Sequence, residues 1–190
     1  MVGKSHQMVG FATVYTYAVL TQTPYLNTQT LVAALLCITL GSLTPDLDSQ
    51  ENKLYTLLPF GHKVLAEVGE RAFGKHRTIS HSLIGVTIAW FLSYWLIFMI
   101  PVENGFNLTA LWYAYMLALI SHLFADFVTK DGIPLLWPIS FKFGFPPFKF
   151  MRMRTGGWIE LYIVRSLVVF WVFYLTIVNW NVVKVMLGWG

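Results

Sequence analysis

The sequence predicts an all-α integral membrane protein, a bundle of about five transmembrane helices with a metal site at the cytoplasmic helix ends. Three observations predict it. Of 190 residues, 56% are hydrophobic and 12% charged, against about 25% charged in a soluble domain, and the mean hydropathy is +0.60. Apolar runs approaching or reaching the roughly 17–25 residues of a membrane-spanning helix recur along the chain. The cations fall in alternate loops, as the positive-inside rule requires. The length suits one multi-pass domain over residues 1–190.

The elements follow in order. The first run is "HQMVGFATVYTYAVL", ending before Thr23-Pro24 and the shortest of the set. The second covers about 29–43 and is closed by Thr44-Pro45, since proline restricts the residue before it and ends a helix. The third runs from 82 to 100 and stops at Pro101; the fourth spans about 108–127; the fifth begins near Trp158 and continues to about Val183. Residues 45–81 and 128–157 are then cytoplasmic loops within the domain.

Charge supports this threading. Lys4 precedes the first run, and no cation separates the first two. Lys53, Lys63, Arg71, Lys75 and Arg77 lie in the second loop, whereas 101–107 offers only Glu103. Lys130, Lys142, Lys149, Arg152 and Arg154 fill the fourth loop, and Arg165 begins the fifth run; Lys184 alone departs from the alternation. The rule places the N-terminus inside and the C-terminus outside, the arrangement an odd number of spans requires. Localisation in a bacterial cytoplasmic (inner) membrane follows. The net charge of +4 thus reflects topology and anionic lipid rather than nucleic acid, which is not an expected partner. The loop "FKFGFPPFKFMRMR" alternates cations with aromatics and reads as touching lipid headgroups. The tryptophans suit an interfacial belt and the methionines packing. Cys37 is the single cysteine, so no internal disulfide forms and it does not report the redox compartment. No small-residue cleavage site follows the first run, so a cleavable signal is not expected.

The ligand-type residues share one side. His6 starts the first run, Asp46 and Asp48 follow the second in "TPDLDS", and His76 and His81 precede the third. His122 and Asp126 end the fourth in "SHLFADF", and Glu160 starts the fifth. His122 and Asp126 are four apart and share a helix face, able to grip one ion. Asp46 and Asp48 are two apart and, in an extended segment, point the same way. Each also has a plainer use: a carboxylate caps a turn, Glu160 complements a helix N-terminus, and His76 is a solvated loop residue. Imidazole with carboxylate suits Zn²⁺, Mn²⁺ or Fe²⁺ better than Mg²⁺ or Ca²⁺, and the donors suffice for one or two ions. His76 and His81 are five apart, so they do not share a helix face, and which of them binds stays open. Arg77 is suited to a phosphate oxygen, because its guanidinium binds bidentately. His62 falls outside these clusters and reads as structural.

The blocks "TPDLDS", "HRTISHSL" and "SHLFADFVTKDGIPLLWP" resemble the YdjM-type inner-membrane proteins, over most of the chain from His6 to Glu160. The resemblance implies a membrane-bound metal-dependent hydrolase, with His6, Asp46, Asp48, Arg77, His81, His122, Asp126 and Glu160 on the family pattern. One departure is Ser49, where many relatives carry histidine. The order of ligands is also similar, distantly, to zinc-dependent phospholipase C and P1-type nucleases. That likeness implies phosphoester chemistry and a division of roles: His81, His122 and Asp126 on one ion, His6 and Glu160 on the same or a second, Asp46 or Asp48 as base or bridge. The leading expectation is a hydrolase acting on a phosphoester of a lipid or lipid-linked substrate, with membrane lipid as environment and substrate. An ion transporter would place ionisable groups near the bilayer midplane, and the centres of these runs carry none. A scaffold whose metal only ties helix ends together is the third possibility.

Overall fold

The computed structural model describes residues 1–23, 27–49, 67, 78–101, 105–139 and 141–189. Each of the five apolar runs folds as a helix. They are α1 (Gly3–Leu20), α2 (Thr28–Leu43), α3 (Leu83–Phe98), α4 (Leu108–Phe127) and α5 (Arg165–Val178), followed by a short α6 (Trp180–Met186). The stretches Thr28–Leu47, Leu108–Phe127 and Ile159–Val178 are long and apolar enough to cross a membrane, and Leu83–Phe98 is apolar but shorter. Gly3–Leu20, with Lys4, His6 and Gln7 in its first turns, is the least apolar of the five.

Helix boundaries are set by local chemistry. Asn27 caps α2 by accepting from the Thr30 amide at 2.8 Å, and Asn107 caps α4 by accepting from the Ala110 amide at 3.0 Å. These two caps are joined: the Asn27 side chain donates to the Gly105 carbonyl (2.7 Å) and the Asn107 amide to Thr30 Oγ1 (3.1 Å). The starts of α2 and α4 therefore lie at one end and their C-termini at the other. Ser82 caps α3 by accepting from the Gly85 amide at 3.2 Å. The fifth run is not one continuous α-helix. Ile159–Val164 is a π-helical turn, and the helix breaks again at Asn179. Such widened turns collect at functional sites.

The core lies where α1, α2 and α4 meet. Of the α4 span, 61% is buried inside the protein, against 33% for Thr28–Leu47 and 6% for Ile159–Val178. Lipid supplies no hydrophobic drive between helices, so close backbone approach through small residues holds them. A Cβ on Gly41 would meet the Tyr115 carbonyl oxygen at 2.2 Å and the Ala118 methyl at 3.1 Å. A Cβ on Gly10 would meet Ser42 Oγ at 2.3 Å. Ile38, Ala114 and Ala118 complete this layer. On the flanks, α3 meets α4 through Trp90 and Tyr94 edge-on to Trp112. Parallel to α1 runs α5, tied to it by Arg165 to Ser5, Trp171 to Thr16 and Tyr15 to Thr176.

Arg152 departs from its expected role as a headgroup contact. It is 7% exposed, and its guanidinium donates to the carbonyls of Gly144, Pro146 and Pro147. It clamps the 128–157 loop from inside, beside the isolated bridges Thr129–Met153 and Ile133–Phe143.

The tight seam yields a first prediction. Gly41→Ala forces α2 away from α4, at a cost of about 1–3 kcal/mol. Its melting temperature in detergent falls by several degrees, while Leu36→Ala on the exposed face of the same helix leaves it nearly unchanged. Equal melting of Gly41→Ala and the native chain would contradict the close approach.

Candidate metal centre

Three segments bring their ends together below the seam. The C-terminus of α2 tightens into a 3-10 turn, Thr44–Asp48, with Pro45 in its first positions. Thr44 anchors the turn, its hydroxyl donating to the Leu40 carbonyl (2.8 Å) and accepting from the Tyr115 hydroxyl (3.1 Å). A second 3-10 turn, Ile79–His81, precedes α3. Gly85 lets α3 lie against it, since a Cβ there would meet the Ile79 carbonyl oxygen at 2.1 Å. The last turns of α4 carry His122 and Asp126.

These elements gather Asp46, His81, His122 and Asp126, each offering a donor atom within 4.8 Å of every other. Asp126 Oδ2 lies 3.3 Å from His81 Nε2 and 3.8 Å from His122 Nε2. Asp46 Oδ1 lies 3.7 Å from His81 Nε2 and 3.5 Å from His122 Nε2. Metal–donor lengths of about 2.0–2.2 Å put donors of a tetrahedral shell about 3.3–3.6 Å apart, so the observed spacings suit one ion.

Hydrogen bonds aim the rings. The Ser42 carbonyl can only accept, so His122 Nδ1–H donates to it at 2.6 Å, which leaves Nε2 as the ring atom turned toward the group. That Nε2 is buried with no hydrogen-bond partner among the described residues. Such an atom in a set of imidazoles and carboxylates is what a bound cation would satisfy. Ser80 Oγ lies 2.9 Å from His81 Nδ1 and holds the orientation of that ring. Burial pushes the His81 imidazole below its ordinary pKa, against the opposing pull of Asp126 and Asp46, which favours the neutral ligand form.

The other expected residues take other places. His6 lies beside the group rather than in it. Its ring stacks on His122 with centroids 3.5 Å apart, and its Nε2 donates to the Met1 carbonyl (3.0 Å) and lies 3.4 Å from Asp126 Oδ1. The Met1 amine also donates to Asp126 Oδ1. Glu160, fully buried, accepts from the Val2 amide (2.7 Å) and the Gly156 amide (2.9 Å). It completes the N-terminus of α1, where a carboxylate also meets the helix dipole favourably. Asp48 ends the same turn as Asp46. The extended backbone expected for that pair is corrected to a 3-10 turn, Thr44–Asp48, so the two-residue repeat of an extended segment does not apply to it. The Asp48 side chain, His62, Lys75, His76 and Arg77 lie outside the described residues.

Two contributors were not anticipated. Ser42 acts through its carbonyl, which no side-chain pattern marks. Ser80 had a signal, a hydroxyl directly beside a ligand-type histidine.

The comparisons agree with a membrane protein of one family. A family model described as YdjM inner membrane protein matches residues 1–187. Inner membrane protein YdjM of Escherichia coli K12 is 32% identical over 131 residues, 68% of this chain and 60% of that protein, and the Shigella flexneri protein of that name matches equally. The uncharacterized protein YvsG of Bacillus subtilis 168 is 31% identical over 167 residues, 88% of this chain and 89% of that protein. The chain thus spans 60% of the length of the YdjM relatives. No solved structure matches.

The geometry separates two kinds of variant. Elemental analysis of the purified native chain is expected to find a bound divalent metal ion, and His122→Ala and Asp126→Ala are expected to lose it. Glu160→Ala keeps the metal but loses about 1.5–3 kcal/mol of stability, the contribution of hydrogen bonds to a charged group. Metal loss from Glu160→Ala at unchanged stability would place Glu160 in the coordination shell instead.

Proposed function

The chain belongs to the YdjM inner membrane protein family, and on that premise we propose that it is a metal-dependent hydrolase cleaving a phosphoester of a lipid or lipid-linked substrate at the cytoplasmic membrane surface. The observation that carries this reading is an asymmetry of burial. His81, His122 and Asp126 have side-chain exposures of 0–1%, whereas Asp46 has 18%. The group has one open side, as a catalytic centre needs, and Asp46 stands on it.

The roles follow from position. His81, His122 and Asp126 would hold the ion, with Zn²⁺ the best match to imidazole–carboxylate donors and Mn²⁺ or Fe²⁺ next. When bound, such an ion lowers the pKa of water and polarises a phosphoryl oxygen. Asp46, at the open side, orients the attacking water and takes its proton. His6 steadies Asp126 from the opposite side, its ring fixed by the stack on His122. Arg77, four positions before His81 in the sequence, is the residue assigned to the anionic phosphate. The site lies at helix ends rather than mid-bundle, at headgroup depth, which supports a lipid phosphate as substrate and argues against a transport pathway. The cations Lys4, Lys130 and Arg154 belong to the same end, which supports a cytoplasmic face.

A second reading rests on the count of donors. Four protein ligands can close a tetrahedral shell, and a closed shell serves structure rather than catalysis. The two readings part on Asp46. Purified protein loaded with Zn²⁺ or Mn²⁺ is given phosphatidic acid and phosphatidylglycerol in mixed micelles. Hydrolysis is expected, abolished by chelation and reduced about 10²–10⁴-fold in Asp46→Asn. Metal that raises the melting temperature with no turnover of either lipid would favour the structural reading.

A further inference from the structure

A second lipid-facing feature lies apart from the histidines. Between α1 and α5 runs an open groove of about 600 Å³. Lys4 and Arg165 head it, and Phe11, Val168, Val172 and Phe173 line it farther along. On α1 the positions step from 4 to 8 to 11, and on α5 from 165 to 168 and 172, so each helix presents one stripe to the groove. The helices run parallel, so the two cations share an end and the apolar stripes extend together. At about 1.5 Å per residue, the stripes carry the groove about 10–12 Å from the cations toward the bilayer interior.

The cationic head is built rather than incidental. Arg165 Nε donates to Ser5 Oγ at 3.1 Å, and Ser5 is 1% exposed, so a buried partner holds the guanidinium at the mouth. One donor is engaged there, and the terminal nitrogens remain for an anion. Among the described residues, no acidic side chain lines the groove, and the nearest carboxylate along the chain, Glu160, is engaged by backbone amides. The apolar part is open to lipid, with Phe11 40% and Phe173 68% exposed.

We propose that this groove is a binding site for one anionic phospholipid, its phosphate between Lys4 and Arg165 and an acyl chain along Phe11, Val172 and Phe173. Charge complementarity selects the occupant. A pair of cations at headgroup depth above an apolar channel matches the amphipathic division of a phospholipid. It opposes a second copy of the same cationic face. The site does not depend on hydrolysis, since neither cation belongs to the Asp46, His81, His122 and Asp126 group.

Native mass spectrometry of the purified full chain tests this. The detergent-solubilised protein is equilibrated with an equimolar mixture of phosphatidylglycerol and phosphatidylcholine. One phosphatidylglycerol per chain is expected to be retained in preference. At about fivefold per cation, the preference drops about 25-fold in Lys4→Gln/Arg165→Gln. Lys4→Gln alone alters only an exposed side chain, and it reports even where the double variant fails to fold. Val172→Trp fills the apolar half and lowers retention of both lipids, while soluble glycerol phosphate does not compete. Equal retention of the two lipids by the native chain, an unchanged preference in Lys4→Gln, or a dimer that excludes lipid would overturn the proposal.

Discussion

The carboxylate of Asp126 has a side-chain exposure of 1% and stands near the end of an apolar helix. A charge buried there without compensation carries a penalty of several kcal/mol. The surrounding fold answers this constraint. His81 Nε2 approaches from the turn before α3, His122 Nε2 from one turn back on α4, and His6 Nε2 with the Met1 amine from α1. Three separate stretches of chain meet at one carboxylate because none could bury its polar group alone. A divalent cation beside Asp126 would join it with Asp46, His81 and His122 in a single cluster.

Close packing makes that meeting geometrically attainable. Gly41 lets the α2 backbone touch α4 at Tyr115, and Gly10 lets α1 reach Ser42. The approach positions the Ser42 carbonyl to aim His122 and the following turn to deliver Asp46. Seam and site are thus one mechanical unit. Below them, Arg152 holds the 128–157 loop through three carbonyls, and the Leu83 amide donates to the Leu135 carbonyl at 3.0 Å, tying the start of α3 to that loop.

Much of this was legible residue by residue. The five apolar runs are where the helices form, because hydropathy is a property of each local stretch. The spacing of His122 and Asp126 reads as one helix face because the α-helical repeat is local. Other features were misread for an equally physical reason. Arg152 looked like its neighbours Lys149 and Arg154, but only the folded loop presents three carbonyls to it. Asp46 and Asp48 look like an extended pair in "TPDLDS", yet the backbone there tightens into a 3-10 turn. Glu160 sits at a helix start as expected, but one of the two amides it serves, that of Val2, comes from another segment.

By itself, then, the sequence determined the membrane class, the helix ends and the side on which imidazoles and carboxylates collect. Those properties arise from hydropathy, caps and charge within a few residues of each position. Only the tertiary structure decided which ligand-type residues share a centre. It placed Asp46 with His81, His122 and Asp126, set His6 behind Asp126, and turned Glu160 to the start of α1. That choice depends on which backbones touch across the α1–α2–α4 seam and which carbonyl meets which ring, and these distances are fixed by packing between segments far apart in the chain.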